Sequence, residues 1–191
     1  MARQTRAVST MAPSDWIVRW SHLLASGCDV LDVACGGGRH LHWFAQRKHP
    51  VLGVDKDTSA STWVAGAQLL QADIEGKDWP ILHQGQPRQF GGVVVTNYLW
   101  RPLMPTLAHS LAPKGVLLYE TFAAGNETVG RPARADFLLQ PGELLQHFAD
   151  LHVVAYECGV LENPIRFVQR IAAVRQSADS TQIAAYSVSL K

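Results

Sequence analysis

A chain of 191 residues that is 47% hydrophobic and 17% charged has the make-up of one globular domain and lacks the polarity of a disordered one. Its net charge of +1 gives no electrostatic basis for binding nucleic acid or an anionic membrane, and no apolar run reaches the roughly 18 residues of a bilayer span. Cys28, Cys35 and Cys158 are scattered and lack paired metal spacing, so reduced thiols and a cytoplasmic location are expected.

Residues 1–13 carry Arg3 and Arg6 without an apolar core, which argues against a secretory signal. A flexible tail is expected there, with a short organelle address as the alternative, and residues 14–191 are expected to form the domain. Ser14 is placed to cap a helix bearing Trp16, Ile17, Trp20, Leu23 and Leu24, which Gly27 ends. A buried strand over 29–34, a helix over 37–48 and a strand over 51–55 follow. A short helix around 59–66 leads to a third strand over 68–72, and 75–89 reads as an irregular connection. Strand four spans 92–97; Pro102 opens a helix to about residue 111. Strand five covers 116–121, and a long polar loop runs to about residue 140. A helix ending near Phe148 and strands over 151–157 and 166–175 complete the chain. The alternation predicts an α/β, Rossmann-like fold: a seven-stranded, mostly parallel sheet with an antiparallel last strand and helices on both faces. The final two strands lack a crossover between them and must pair antiparallel.

The chemistry concentrates where strand one breaks into Cys35-Gly36-Gly37-Gly38 and where strand two closes on Asp55. A strand, a tight turn, a helix and a second strand ending in a carboxylate describe a grip on an adenine nucleoside. A dinucleotide site wants a third small residue after Gly36 and Gly38, but Leu41 stands there. The lysine of a phosphate-binding loop is absent as well.

What stands instead is Asp32-x-Ala34-x-Gly36-x-Gly38, which resembles the first motif of class I S-adenosylmethionine-dependent methyltransferases. The small residues let backbone approach a ligand, and the Asp32 carboxylate suits an ammonium. The resemblance extends to Asp55, facing a ribose diol with Lys56 beside it, and to Asp73 and Ile74, facing the adenine amine and ring. It also extends to Asn97, at the strand end below the transferred methyl. The cofactor set implied is Asp32, Ala34, Cys35, Gly36, Gly38, Asp55, Lys56, Asp73, Ile74 and Asn97, with S-adenosyl-L-methionine as cofactor and no metal. The chain lacks the prolines of the Asn/Asp-Pro-Pro-Tyr/Phe turn at Asn97-Tyr98-Leu99-Trp100, which argues against methylation of nucleic-acid bases. Its small size resembles small-molecule methyltransferases, including the tellurite-resistance type, so a small-molecule acceptor and neither nucleic acid nor membrane are the implied partners.

A sulfonium is an activated donor, so alignment and exclusion of water carry most of the catalysis. Tyr98, Glu120 and His40 are candidate bases, with no one of them singled out. Arg19 is a candidate partner for the donor carboxylate, and Trp100 for lining a pocket, while Trp16, Trp20 and Trp43 are expected to pack. The loop 122–140 is long for a connector and is expected to cover the acceptor, with Gly125 and Gly130 as hinges and Arg131 or Arg134 meeting an anionic group. A non-catalytic binding module of the same fold is the alternative function. A nicotinamide oxidoreductase is disfavoured by Leu41 and by the lack of a Tyr-x-x-x-Lys motif.

Overall fold

The computed structural model describes residues 12–59, 65–76, 78–177 and 186–188. Most of the expected tail and the centre of the helix expected over 59–66 lie outside these residues. The seven main strands are β1 (Val30–Val33), β2 (Val51–Asp55), β3 (Ala67–Gln71), β4 (Phe90–Thr96), β5 (Leu111–Phe122), β6 (His152–Glu162) and β7 (Ile165–Val174). They form one sheet in the order β3-β2-β1-β4-β5-β7-β6. The first five run parallel, and β7 lies antiparallel between β5 and β6. The order reverses beside β1, where β2 lies on one side and β4 on the other. The ends of two connections part there and leave a crevice.

The strand alternation builds two cores. Leu31, Val33, Val93, Val95, Leu117 and Ile171 face one way and pack under α3 (Met104–His109) and α4 (Glu143–His147). Val30, Val94, Leu118 and Ala172 face the other way, toward Trp16, Ile17 and Trp20 of α1 (Asp15–Trp20) and Leu41 and Phe44 of α2 (Arg39–Gln46). Ser14 caps α1 as expected, its side chain accepting from the Trp16 amide at 3.2 Å. The Trp16 indole then donates to the Ile171 carbonyl at 3.3 Å, tying the first helix to the last strand.

Leu41 has a physical explanation here. A Cβ on Gly53 would lie 2.9 Å from the Leu41 methyls and from the Cys35 sulfur. The small residue that lets α2 approach the sheet therefore sits on β2 and leaves room for a leucine on the helix.

Three expectations about elements need correction. The segment 75–89 contains a small antiparallel hairpin, Leu82–His83 with Gln86–Pro87. The helix after β4 is split into a 3-10 turn (Arg101–Leu103) and α3, and β5 already begins at Leu111. The last hairpin extends to Glu162 and Ile165, well past the expected strand ends. Among the described residues no helix is long and apolar enough to cross a membrane, and no cluster of metal-ligating side chains occurs.

Candidate active site

The carboxyl ends of β1, β2, β3 and β4 converge on the crevice. After β1 the backbone turns through left-handed conformations at Ala34 (φ 52°), Gly36 (φ 51°) and Gly38 (φ 79°). Alanine takes this conformation at a cost, which marks the turn as held by its surroundings. The hold is visible: the Gly36 amide donates to Asp55 Oδ2 at 2.8 Å, and the Cys35 amide to the Val54 carbonyl at 3.1 Å. Asp55 Oδ1 accepts from the Asp57 amide at 2.9 Å. Asp55 thus fixes the glycine turn while keeping its remaining lone pairs toward the crevice.

A cavity of about 180 Å³ is lined by Ala34, Asp55, Lys56, Asp73, Ile74, Glu75 and Tyr98. Asp73 lies at its rim, paired with Lys56 Nζ at 2.7 Å and accepting from the Glu75 amide at 3.0 Å. A second cavity of about 260 Å³ is lined by Glu75, Asn97, Tyr98, Leu99, Thr121, Phe122, Pro132 and Phe137. Glu75 and Tyr98 belong to both, so the two spaces adjoin. Asn97 leaves β4 with φ 54°, and the Tyr119 hydroxyl donates to the Tyr98 carbonyl at 2.9 Å, fixing this corner. The Tyr98 hydroxyl is buried and completes no hydrogen bond, although the Glu75 carboxylate is near enough to act by charge. Burial and then that charge raise the phenol above its usual range, so it stays protonated.

Five residues of the expected cofactor set, Ala34, Asp55, Lys56, Asp73 and Ile74, therefore line the smaller cavity, Asn97 lines the larger, and the candidate base Tyr98 lines both. Gly36 and Gly38 make the turn beside them. The Cys35 side chain is buried in the α2-facing core, so only its backbone reaches the turn.

Asp32 lies deeper, 1% exposed, on the face of β1 toward α2. One oxygen is 4.0 Å from His40 Nδ1; the other is buried without a hydrogen-bond partner. Burial pushes the carboxyl up to about 8, against the pull of Arg39 and with a push from Asp55. His40 Nε2 accepts from the Ser14 amide at 3.1 Å, and burial drives the imidazole down to about 3. Its free lone pair is used and its proton sits on the side facing Asp32, so it is a spacer for α1 and no base.

Glu120 is likewise occupied: 1% exposed, it accepts from Ser14 Oγ at 3.0 Å and from Arg170 at 3.3 Å. Arg19 pairs with Glu157 at 3.3 Å on the outer side of the same network. Arg39, which the sequence reading passed over, is half-buried beside Asp32 and Glu120 and donates to Thr96 Oγ1 at 3.3 Å. Its position at the first turn of α2, immediately after the glycines, was the signal. Trp100 packs against the core under α3 and is not among the residues lining either cavity.

The loop 122–140 folds over the larger cavity through Pro132 and Phe137. It is anchored: the Ala124 amide donates to the Leu139 carbonyl, and the buried Asn126 bonds the Pro132 carbonyl and the Phe167 amide. A Cβ on Gly125 would come within 2.6 Å of the Phe167 ring, so this glycine is a packing position and not a hinge. Arg101, just after β4, grips Glu143 at 2.6 and 3.1 Å and the carbonyls of Asp136 and Leu138 at 2.8 and 2.9 Å. Arg134 pairs with Asp136 at 2.7 Å and lies over Phe137, and neither it nor Arg131 is among the cavity-lining residues.

Comparison with protein-family models and with curated proteins yields no match for this sequence. Solved structures do match. TehB from Haemophilus influenzae superposes with a TM-score of 0.67 at 17% identity, over 89% of this chain and 64% of that one. A putative S-adenosylmethionine-dependent methyltransferase from Listeria monocytogenes gives 0.63 at 14% identity, covering 85% and 98%. The 1,6-didemethyltoxoflavin-N1-methyltransferase of Burkholderia thailandensis, solved with its substrate and S-adenosylhomocysteine, gives 0.59 at 15%, covering 90% and 80%. The fold is that of the class I S-adenosylmethionine-dependent methyltransferases. The chain spans under two thirds of TehB, the first of these.

Proposed function

We propose that this protein transfers a methyl group from S-adenosyl-L-methionine to a small-molecule acceptor. The observation that carries the proposal is the pair of adjoining cavities at the reversal of strand order, one edged by carboxylates and one mostly apolar. S-adenosylmethionine would supply an activated methyl on a sulfonium when bound. Asp55 suits a ribose diol, and Asp73 with Ile74 suits an adenine edge and face, the Lys56 pair opening or sharing Asp73. The unpartnered oxygen of Asp32 suits an ammonium, whose arrival would draw the buried carboxyl into its ionised form. Several fold neighbours, among them the Burkholderia enzyme, are methyltransferases by name, which supports the same reading.

Tyr98 and Asn97 lie where the two cavities meet and would align the acceptor against the donor. Leu99, Phe122, Pro132 and Phe137 keep water from that contact. Titration calorimetry with S-adenosylhomocysteine and with NAD tests the assignment. Binding of the former in the micromolar range and none of the latter is expected; the reverse order would overturn it.

A further inference from the structure

The larger cavity has a chemical character of its own. Its body is apolar and partly aromatic: Leu99, Phe122, Pro132, Phe137 and the Tyr98 ring. Its polar groups are the Glu75 carboxylate, the buried Tyr98 hydroxyl, the Asn97 amide and the Thr121 hydroxyl. Among the described residues, no cationic side chain lines it. Of the two arginines expected there, Arg134 is paired with Asp136 and Arg131 is not among the lining residues; Arg101 is engaged with Glu143. Among the described residues, Lys56 lines the neighbouring space and is paired with Asp73. The Tyr98 phenol, at the junction, feels the negative charges of Glu75, Asp73 and Asp55 together. A space with this field repels a carboxylate, a phosphate or an oxyanion and attracts a positive charge.

Resting on the methyl-transfer reading, we infer that the acceptor is an amine carried on an apolar, aromatic body, with the body against Phe122 and Phe137 and the nitrogen toward Glu75 and Tyr98. Aromatic faces add attraction for the cationic form of such a molecule. An ammonium has no lone pair, so the bound amine first gives up one proton to water through the exposed Glu75 carboxylate. The freed lone pair then forms the new N–C bond as the S–C bond of the sulfonium breaks. The bonding pair of the broken bond stays on sulfur, leaving a neutral thioether. Donor charge is consumed and product charge appears on nitrogen, so the carboxylate-lined corner faces a cation throughout.

The test compares three ligands with one body: 2-phenylethylamine, 2-phenylethanol and phenylacetate. Calorimetry is run on the wild-type protein with and without S-adenosylhomocysteine. The amine should bind at least about tenfold more tightly than phenylacetate, with the alcohol between them. Glu75→Gln should bring the amine to the level of the alcohol, and Phe137→Ala should weaken all three alike. With labelled S-adenosylmethionine, label should appear on the amine nitrogen and not on the alcohol oxygen. Equal or reversed ranking, absence of amine binding, or a preference that survives Glu75→Gln would overturn the inference. Failure to bind S-adenosylhomocysteine would instead count against the methyl-transfer reading, because the ligand ranking is measured in its absence too.

Discussion

Asp32 is held in a state that its residue type disfavours. A carboxyl kept protonated to about pH 8 in the fold but ionising near 4 in the open chain retains a proton that the unfolded state gives up. Stability therefore falls as pH rises from about 4 to about 8 on account of this residue. Asp32→Asn removes the titration and keeps the shape. The variant should melt at least about 2 °C above the parent at pH 8 and no higher at pH 4. On the proposed function it should also bind S-adenosylhomocysteine more weakly, because a neutral amide would replace the carboxylate proposed to meet the ammonium. A variant with unchanged melting at both pH values would mean that the carboxyl is ionised in the free protein. His40 works in the opposite sense. Its imidazole, lowered to about 3 in the fold, stays neutral while the unfolded residue protonates below its usual value, so stability drops as pH falls from about 6.5 to about 3. The two groups together favour the mildly acidic range.

At the scale of elements, the loop 122–140 depends on a side chain outside itself. Arg101 offers its planar fork to one carboxylate and two carbonyls, a geometry that lysine cannot reproduce. Arg101→Lys should leave binding of S-adenosylhomocysteine within about twofold. Protease cleavage within 126–137 should become faster, and KM for an amine acceptor should rise. Cleavage at the wild-type rate would show that the loop is held by Asn126 and the Ala124–Leu139 bond alone.

The strands were the most legible elements because a parallel sheet buried on both faces demands continuous apolar runs, as in Val93, Val94 and Val95. The glycine turn and Asp55 were legible because backbone conformation and charge are written locally. What could not be read depends on partners distant in the chain. The pairing of His40 with Ser14 spans 26 residues, and that of Arg101 with Glu143 spans 42. Gly53 as the packing partner of Leu41 also required the register of α2 on β2. Arg134 shows a related limit: a loop arginine reads as a ligand for anions until its own partner, here Asp136, is known.

At the scale of the whole molecule, the face of the sheet toward α1 and α2 changes character along its length. Its apolar positions give way near the carboxyl ends of the parallel strands to Asp32, Thr96, Glu120 and Arg170, with Thr96 opposite Glu120 and Glu120 opposite Arg170 across the strands. Ser14 from the first helix and Glu157 from β6 complete the band. Because Arg170 is 14% exposed and Glu120 1%, removing one charge strands the other in a place that water reaches poorly. Glu120→Ala should cost about 3–5 kcal/mol, and Glu120→Gln less, since it still accepts from Ser14. Urea unfolding of both variants measures the difference; equal and small losses would show that Glu157 suffices to balance Arg170.

The position of β7 sets the order in which this protein can be made. A ribosome delivers β5 and then β6, yet the strand that must sit between them is synthesised after both. Until residues 165–174 emerge, β5 is an open edge with a row of unmet backbone groups, and Trp16 lacks the carbonyl it anchors to. Vectorial synthesis thus leaves the sheet unfinished until nearly all of this domain has left the exit tunnel, and a nascent chain stalled short of that point keeps β5 exposed to unwanted pairing.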